Sequence, residues 1–218
     1  MKKQLPVIIV FGIVLMLFSQ KTLAQGCVAI RPMSCGGASP TNQTGFFNKG
    51  EWRAAATYRY FQSYKHFRGD HEEVERVENG TEVINDAHSI DLGLSYSLSD
   101  RFSVAVNLPV IFYQRSSLYE HYGNSPAANP DQKRFSMGAQ GIGDLRLSAN
   151  YWLLDPHKHM NGNVALGLGI KLPTGNSNAQ GDFHKLSSEG LDSIVTRAVD
   201  QSIQLGDGGV GFTLEVQA

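Results

Sequence analysis

The sequence predicts an all-β protein: an antiparallel sheet of about six strands, of the kind that crosses a bacterial outer membrane as a β-barrel, here as part of a larger barrel. Three observations carry this. Six runs of the chain alternate strictly between apolar and polar or small residues. The connections between those runs alternate between short and long. The chain also opens with an export signal, and past it no stretch is apolar for the roughly 20 residues that a spanning helix needs.

Residues 1–24 carry the marks of a cleaved secretory signal. Lys2 and Lys3 form the positive end, Val7–Phe18 the apolar core, and Thr22, Leu23 and Ala24 the small-residue cleavage region. Cleavage removes Lys2, Lys3 and Lys21 from 19 basic side chains and none of the 20 acidic ones, leaving a net charge of −4. That balance argues against a nucleic-acid partner, which calls for a basic stripe. Residues 25–50 are rich in Gly, Pro, Ser, Asn and Thr and read as an arm that precedes the barrel region, residues 51–218. Cys27 and Cys35 lie in this arm, and in an exported chain one disulfide between them is the simplest reading. The alternative is acylation of Cys27 as a lipoprotein. A metal site is disfavoured because no His pair lies near them.

Successive side chains of a strand point to opposite faces, so each run declares two faces. The expected strands are Glu51–Phe61, His88–Leu98, Phe102–Phe112, Leu145–Leu153, Val164–Leu172 and Asp207–Gln217. The expected connections are 62–86 (long), 99–101 (short), 113–141 (long), 154–163 (shorter) and 173–206 (long). Short periplasmic turns and long external loops are the habit of outer-membrane barrels. Aromatic residues gather near the strand ends, Trp52, Tyr96, Phe102, Tyr151 and Trp152 at one rim and Tyr58, Tyr60, Phe112 and Tyr113 at the other. Ring systems with one polar edge favour such interfaces. Six strands are fewer than the roughly eight of the smallest single-chain barrels. The expectation is therefore a fragment of a longer barrel, the alternative being several chains that share one.

The polar faces of the strands hold Arg53, Arg59, Asp91, Asn107, Asp144, Arg146, Asn150, Lys171 and Glu215. These are the candidate lumen-lining residues. A charge inside a barrel needs a partner, so pairing across strands is the competing role, with Asp144 and Lys171 expected to meet. His66, Asp70, His71, Glu72 and Glu73 crowd the first long loop, but their spacing fits no metal motif. Gly141-x-Gly143 enters a strand and lacks the Lys of a phosphate loop. His88 and Ser89 are adjacent, so they face opposite ways and cannot form a nucleophile–base pair; no Gly-x-Ser-x-Gly is present. No enzymatic activity, cofactor or metal is expected.

The runs Arg101–Val104, Gly141–Leu145 and Gly167–Gly175 resemble an outer-membrane, transporter-like family named for the MetA pathway of phenol degradation. The stretches Gly26–Arg31 and His66–Asp70 are similar to its Bacteroidetes-type branch. The resemblance implies a barrel of roughly a dozen strands and a role in passing small, aromatic or apolar compounds. It brings no catalytic residues. The expected function is thus a passive channel or transporter, with outer-membrane lipid and a small-molecule solute as partners. The alternatives are a non-transporting surface barrel, acting as adhesin or anchor, and a soluble exported β-protein.

Overall fold

The computed structural model describes residues 48–119, 129–159, 162–187 and 189–217. The signal, most of the arm and the Cys27–Cys35 pair lie outside the described residues. The fold is all-β and antiparallel, with one four-residue helix and one 3-10 turn among the described residues. The strands are β1 (Trp52–Ser63), β2 (Phe67–Arg68), β3 (His71–Glu72), β4 (Ile84–Ser97), β5 (Phe102–Ser117), β6 (Phe135–Ile142), β7 (Leu145–Trp152), β8 (Ala165–Leu172), β9 (Gln180–Leu186), β10 (Asp192–Ala198) and β11 (Gly211–Gln217). Helix α1 is Glu75–Glu78.

The main sheet runs β1-β4-β5-β7-β8-β11, with β6 also paired to β5. It is a meander, and its register aligns like faces. Ala55, Gly93, Asn107, Arg146, Lys171 and Gly211 form one row across six strands, and Trp52, Tyr96, Val104, Ala149, Leu168 and Leu214 form another on the opposite face. β1 pairs with β4 and β11 with β8, and these two outer strands are not joined to each other, so the sheet of described residues is open.

The six expected strands are present; β1, β4 and β5 extend beyond the expected limits at the long-loop end, whereas β11 starts at Gly211 and not at Asp207. β5 continues from Phe112 to Ser117, and β6 pairs with that extension, from Ser117 opposite Phe135 to Val110 opposite Ile142. Residues 113–117 and 135–141, expected as loop, are therefore strand. β6 and β7 are one bent strand. Between Ile142 and Arg146 the chain advances four residues while β5 advances three, from Val110 back to Asn107, so Gly143-Asp144 is a bulge with one extra residue. A Cβ at position 143 would lie 2.7 Å from Ile111 Cδ1 and 2.9 Å from Pro109 Cγ, which is why glycine stands there.

The other long connections are also built structures. Residues 64–83 hold the β2–β3 hairpin, turned at Gly69 with φ +68°, and helix α1. Residues 173–210 hold the β9–β10 hairpin and the 3-10 turn Gln201–Ile203. Ile203 and Leu205 pack with Ile111, Ala139, Ala179 and Val199 into the main buried apolar cluster. This cluster lies on the face that also carries Asn107 and Arg115 of β5.

Gly143→Ala is expected to lower stability by about 1–3 kcal/mol, the usual cost of overpacking a filled site. Denaturant melts of the variant in detergent, beside wild type, check this.

Candidate functional site

All nine sequence-predicted residues lie on one face. Arg53 and Arg59 are on β1, Asp91 on β4, Asn107 on β5, Arg146 and Asn150 on β7, Lys171 on β8 and Glu215 on β11, all in rows of matching parity. Asp144 joins them from the bulge through its contact with Lys171. Two aromatic residues expected at the rims, Tyr113 and Trp152, belong to this polar face instead. They are neighbours of Phe112 and Tyr151, and adjacent strand residues point opposite ways.

The burial of the two faces is the reverse of a water-soluble sheet. Ser97 (0%), Ser89 (3%), Asn150 (7%) and Ser148 (9%) on the polar face are buried. Trp52 (63%), Leu168 (65%), Leu214 (73%) and Phe212 (81%) on the apolar face are exposed. The apolar face bears a shallow groove of about 790 Å³ that runs past Trp52, Leu94, Val106, Leu168 and Phe212. Towards the long loops this face changes character. Tyr60 and Gln62 donate to Asp86 Oδ1 at 2.8 and 2.9 Å, and Tyr58 Oη pairs with His88 Nδ1 at 2.7 Å. Gln114, Gly138 and Gln140 continue that polar margin across β5 and β6.

The polar face is organised around Asp144. Its Oδ2 pairs with Lys171 Nζ at 3.2 Å and accepts from the Asp207 N–H at 3.4 Å, while its Oδ1 accepts from the Gly175 N–H at 3.0 Å. Lys171 also pairs with Asp207. The Lys171 ammonium and the Gly209 N–H hold the Asp207 carboxyl below the usual carboxylate range. The expected Asp144–Lys171 contact is present, with Asp207 as a third member that alternation in the sequence does not reveal.

Thr174 completes the bulge. Its hydroxyl donates to the Gly143 carbonyl at 2.9 Å and accepts from the Leu145 N–H at 2.8 Å. Both backbone groups flank the extra residue. Three glycines make the convergence possible: Cβ atoms at 175 and 206 would meet Asp144 Oδ1 at 3.0 and 2.5 Å, and one at 143 would meet the Leu205 carbonyl at 3.1 Å. Gly-Ile-Gly-Asp, Pro-Thr-Gly and Gly-Asp are thus three sides of one lock. Pro-Thr-Gly read from sequence as a strand end conceals the hydroxyl that secures the bulge.

Above this lock, residues 199–207 fold onto the polar face. Asp200 pairs with Arg115 at 3.2 Å and caps the 3-10 turn through the Ser202 N–H at 3.0 Å. Burial works against the Asp200 charge, but Ser202 and the guanidinium groups of Arg115 and Arg197 outweigh it and keep its carboxyl below the ordinary range. Below the lock the face stays polar. A Cβ at Gly167 would lie 2.4 Å from Asn150 Oδ1, so this glycine makes room for Asn150 and, at 3.4 Å, for Glu215 Oε2. Arg53 is held by Glu51 at 2.8 Å.

The acidic and histidine cluster of the first loop is an ion-pair cage. Buried Glu73 meets Arg76 at 2.5 Å, Arg68 at 2.6 Å and His66 at 3.5 Å. The Arg76 hydrogen bond, joined by the charges of Arg68 and His66, holds its carboxyl below the usual range. Among the described residues no cluster has the composition of a metal site. Arg134 ties this loop to the next, donating to the carbonyls of Gly80 at 3.0 Å and Glu82 at 2.7 Å.

No protein-family model and no curated protein matches the chain.

Thr174→Val is expected to destabilise the fold by about 0.5–1.5 kcal/mol, the usual net worth of a hydrogen bond that is not fully buried. Thr174→Ser is expected to retain most of the wild-type stability, which a parallel denaturant series measures.

Proposed function

We propose that the sheet is part of the wall of an outer-membrane β-barrel that passes small solutes, with the polar face lining the passage. The inverted burial carries this reading. Exposed apolar surface on this scale marks contact with another apolar medium, and here it spans every strand of the main sheet. Its height fits a bilayer. Phe102 and Phe112 are ten residues apart on β5. That is about 34 Å of strand at about 3.4 Å per residue, or about 26 Å along the membrane normal at a tilt of about 40°, against a lipid-facing band of about 25 Å. The band closes at Tyr58, Tyr60 and Phe112, beyond which Asp86, Gln62 and Gln114 are polar.

In lipid every backbone N–H and C=O needs a partner within protein. The reading therefore requires further strands between β11 and β1 to complete the barrel. Residues 199–207 narrow the passage from the long-loop side, and the lock at Asp144 holds them there. The resemblance of Gly141–Leu145 and Gly167–Gly175 to a transporter-like family supports the same reading, as does the export signal expected from the sequence of residues 1–24. The built loops, with the Glu73 cage and the Arg134 clamp, favour a second reading as a surface anchor without transport.

Conductance separates the two. The full chain in planar bilayers is expected to give discrete current steps, whereas insertion without current supports the anchor. Val106→Arg, near the middle of the apolar band, is expected to cost about 2–4 kcal/mol of folding in lipid, and Gln114→Arg, above it, under about 1 kcal/mol. Equal small effects, measured by urea titration in vesicles, would favour a soluble protein.

A further inference from the structure

The charges of the polar face are compensated unevenly. Lys171 is shared between Asp144 and Asp207, Arg53 is held by Glu51, and Arg115 by Asp200. Arg146 differs. Among the described residues no carboxylate pairs with it, and its Nε is shut off from solvent with no acceptor. Asp91 stands two strands away and one row nearer the long loops, since it pairs with Pro109. Glu215 stands two strands away and two rows nearer the short turns, since Gly167 and Asn150 place it there. On β5 the residue directly opposite Arg146 is Asn107, whose amide is a further donor, and on β8 it is Lys171. Three donor side chains thus stand abreast on adjacent strands, just below the segment that narrows the passage.

We propose that Arg146, with Asn107 beside it, binds a small monovalent carboxylate on its way along the polar face. This rests on the passage reading above and adds the class of solute. A guanidinium presents two parallel N–H groups that match the two oxygens of a carboxylate. Lys171 is already taken by Asp144 and Asp207, so among the described residues the guanidinium of Arg146 is the cation of the row with no carboxylate of its own. One negative charge balances it, whereas a dianion would bring its second charge against Asp144 and Asp207.

The test is the reversal potential of the full chain in planar bilayers under gradients of potassium acetate and potassium chloride. Wild type is expected to pass acetate more readily than chloride. Arg146→Gln is expected to lower acetate permeability relative to potassium about threefold, the effect of one unit charge about 6 Å from the ion in water-like surroundings. Arg146→Lys keeps the charge and loses the fork; it should hold the anion-to-potassium ratio and lose the preference for acetate over chloride. Steady currents with the same acetate-to-potassium ratio in wild type and Arg146→Gln would overturn the carboxylate site and leave the passage standing. No current from folded, inserted wild type would overturn the passage and the site together.

Discussion

A strand sends alternate side chains to opposite faces, and in this chain the polar face is the more buried one. Every other feature answers to that constraint. A buried charge must be paired and hydrogen-bonded, so Asp144, Lys171 and Asp207 form a closed group to which backbone N–H groups of Gly175 and Asp207 also donate. Long polar side chains on a crowded face need space, so glycine stands at 167 beneath Asn150 and Glu215, and at 211 beneath Lys171. The opposite face is left apolar and bare, which water does not favour and a lipid chain does.

The bulge at Gly143-Asp144 turns that wall into a site. One extra residue bends the strand that runs from β6 into β7 and frees a carbonyl and an N–H. Thr174 takes up both, and Asp144 gains the reach to bind residues from two later segments. The inserted stretch 199–207 depends on this. Its lower end is fixed at Asp144 and Lys171, its upper end at Arg115, and its apolar side rests on Ile111 and Ala139.

Much of this was legible in the sequence wherever one face is apolar. Alternation located six strands of the main sheet, assigned the nine polar residues to one face and paired Asp144 with Lys171. It failed beyond Phe112 for a physical reason. There the outward positions become Gln114, Ser136, Gly138 and Gln140, so β6 and the ends of β4 and β5 show no contrast between faces and read as loop. Trp152 and Tyr113 were misplaced by nearness to the rims, although parity assigns them inward. The inserted segment was hidden because Val199, Ile203 and Leu205 follow no strand or helix period. Thr174 was hidden because its partners are backbone groups, which carry no sequence signal.

The two tryptophans test the inversion of faces most directly. Trp52 lies on the apolar face and Trp152 on the polar one, both near the short-turn end. Trp152→Phe and Trp52→Phe each leave a single emitter. With the protein refolded into vesicles of lipids brominated near the headgroup, emission from Trp52 should be strongly quenched and that from Trp152 little affected. Equal quenching of both, or quenching of Trp152 alone, would contradict a polar face turned inward and an apolar face turned to lipid.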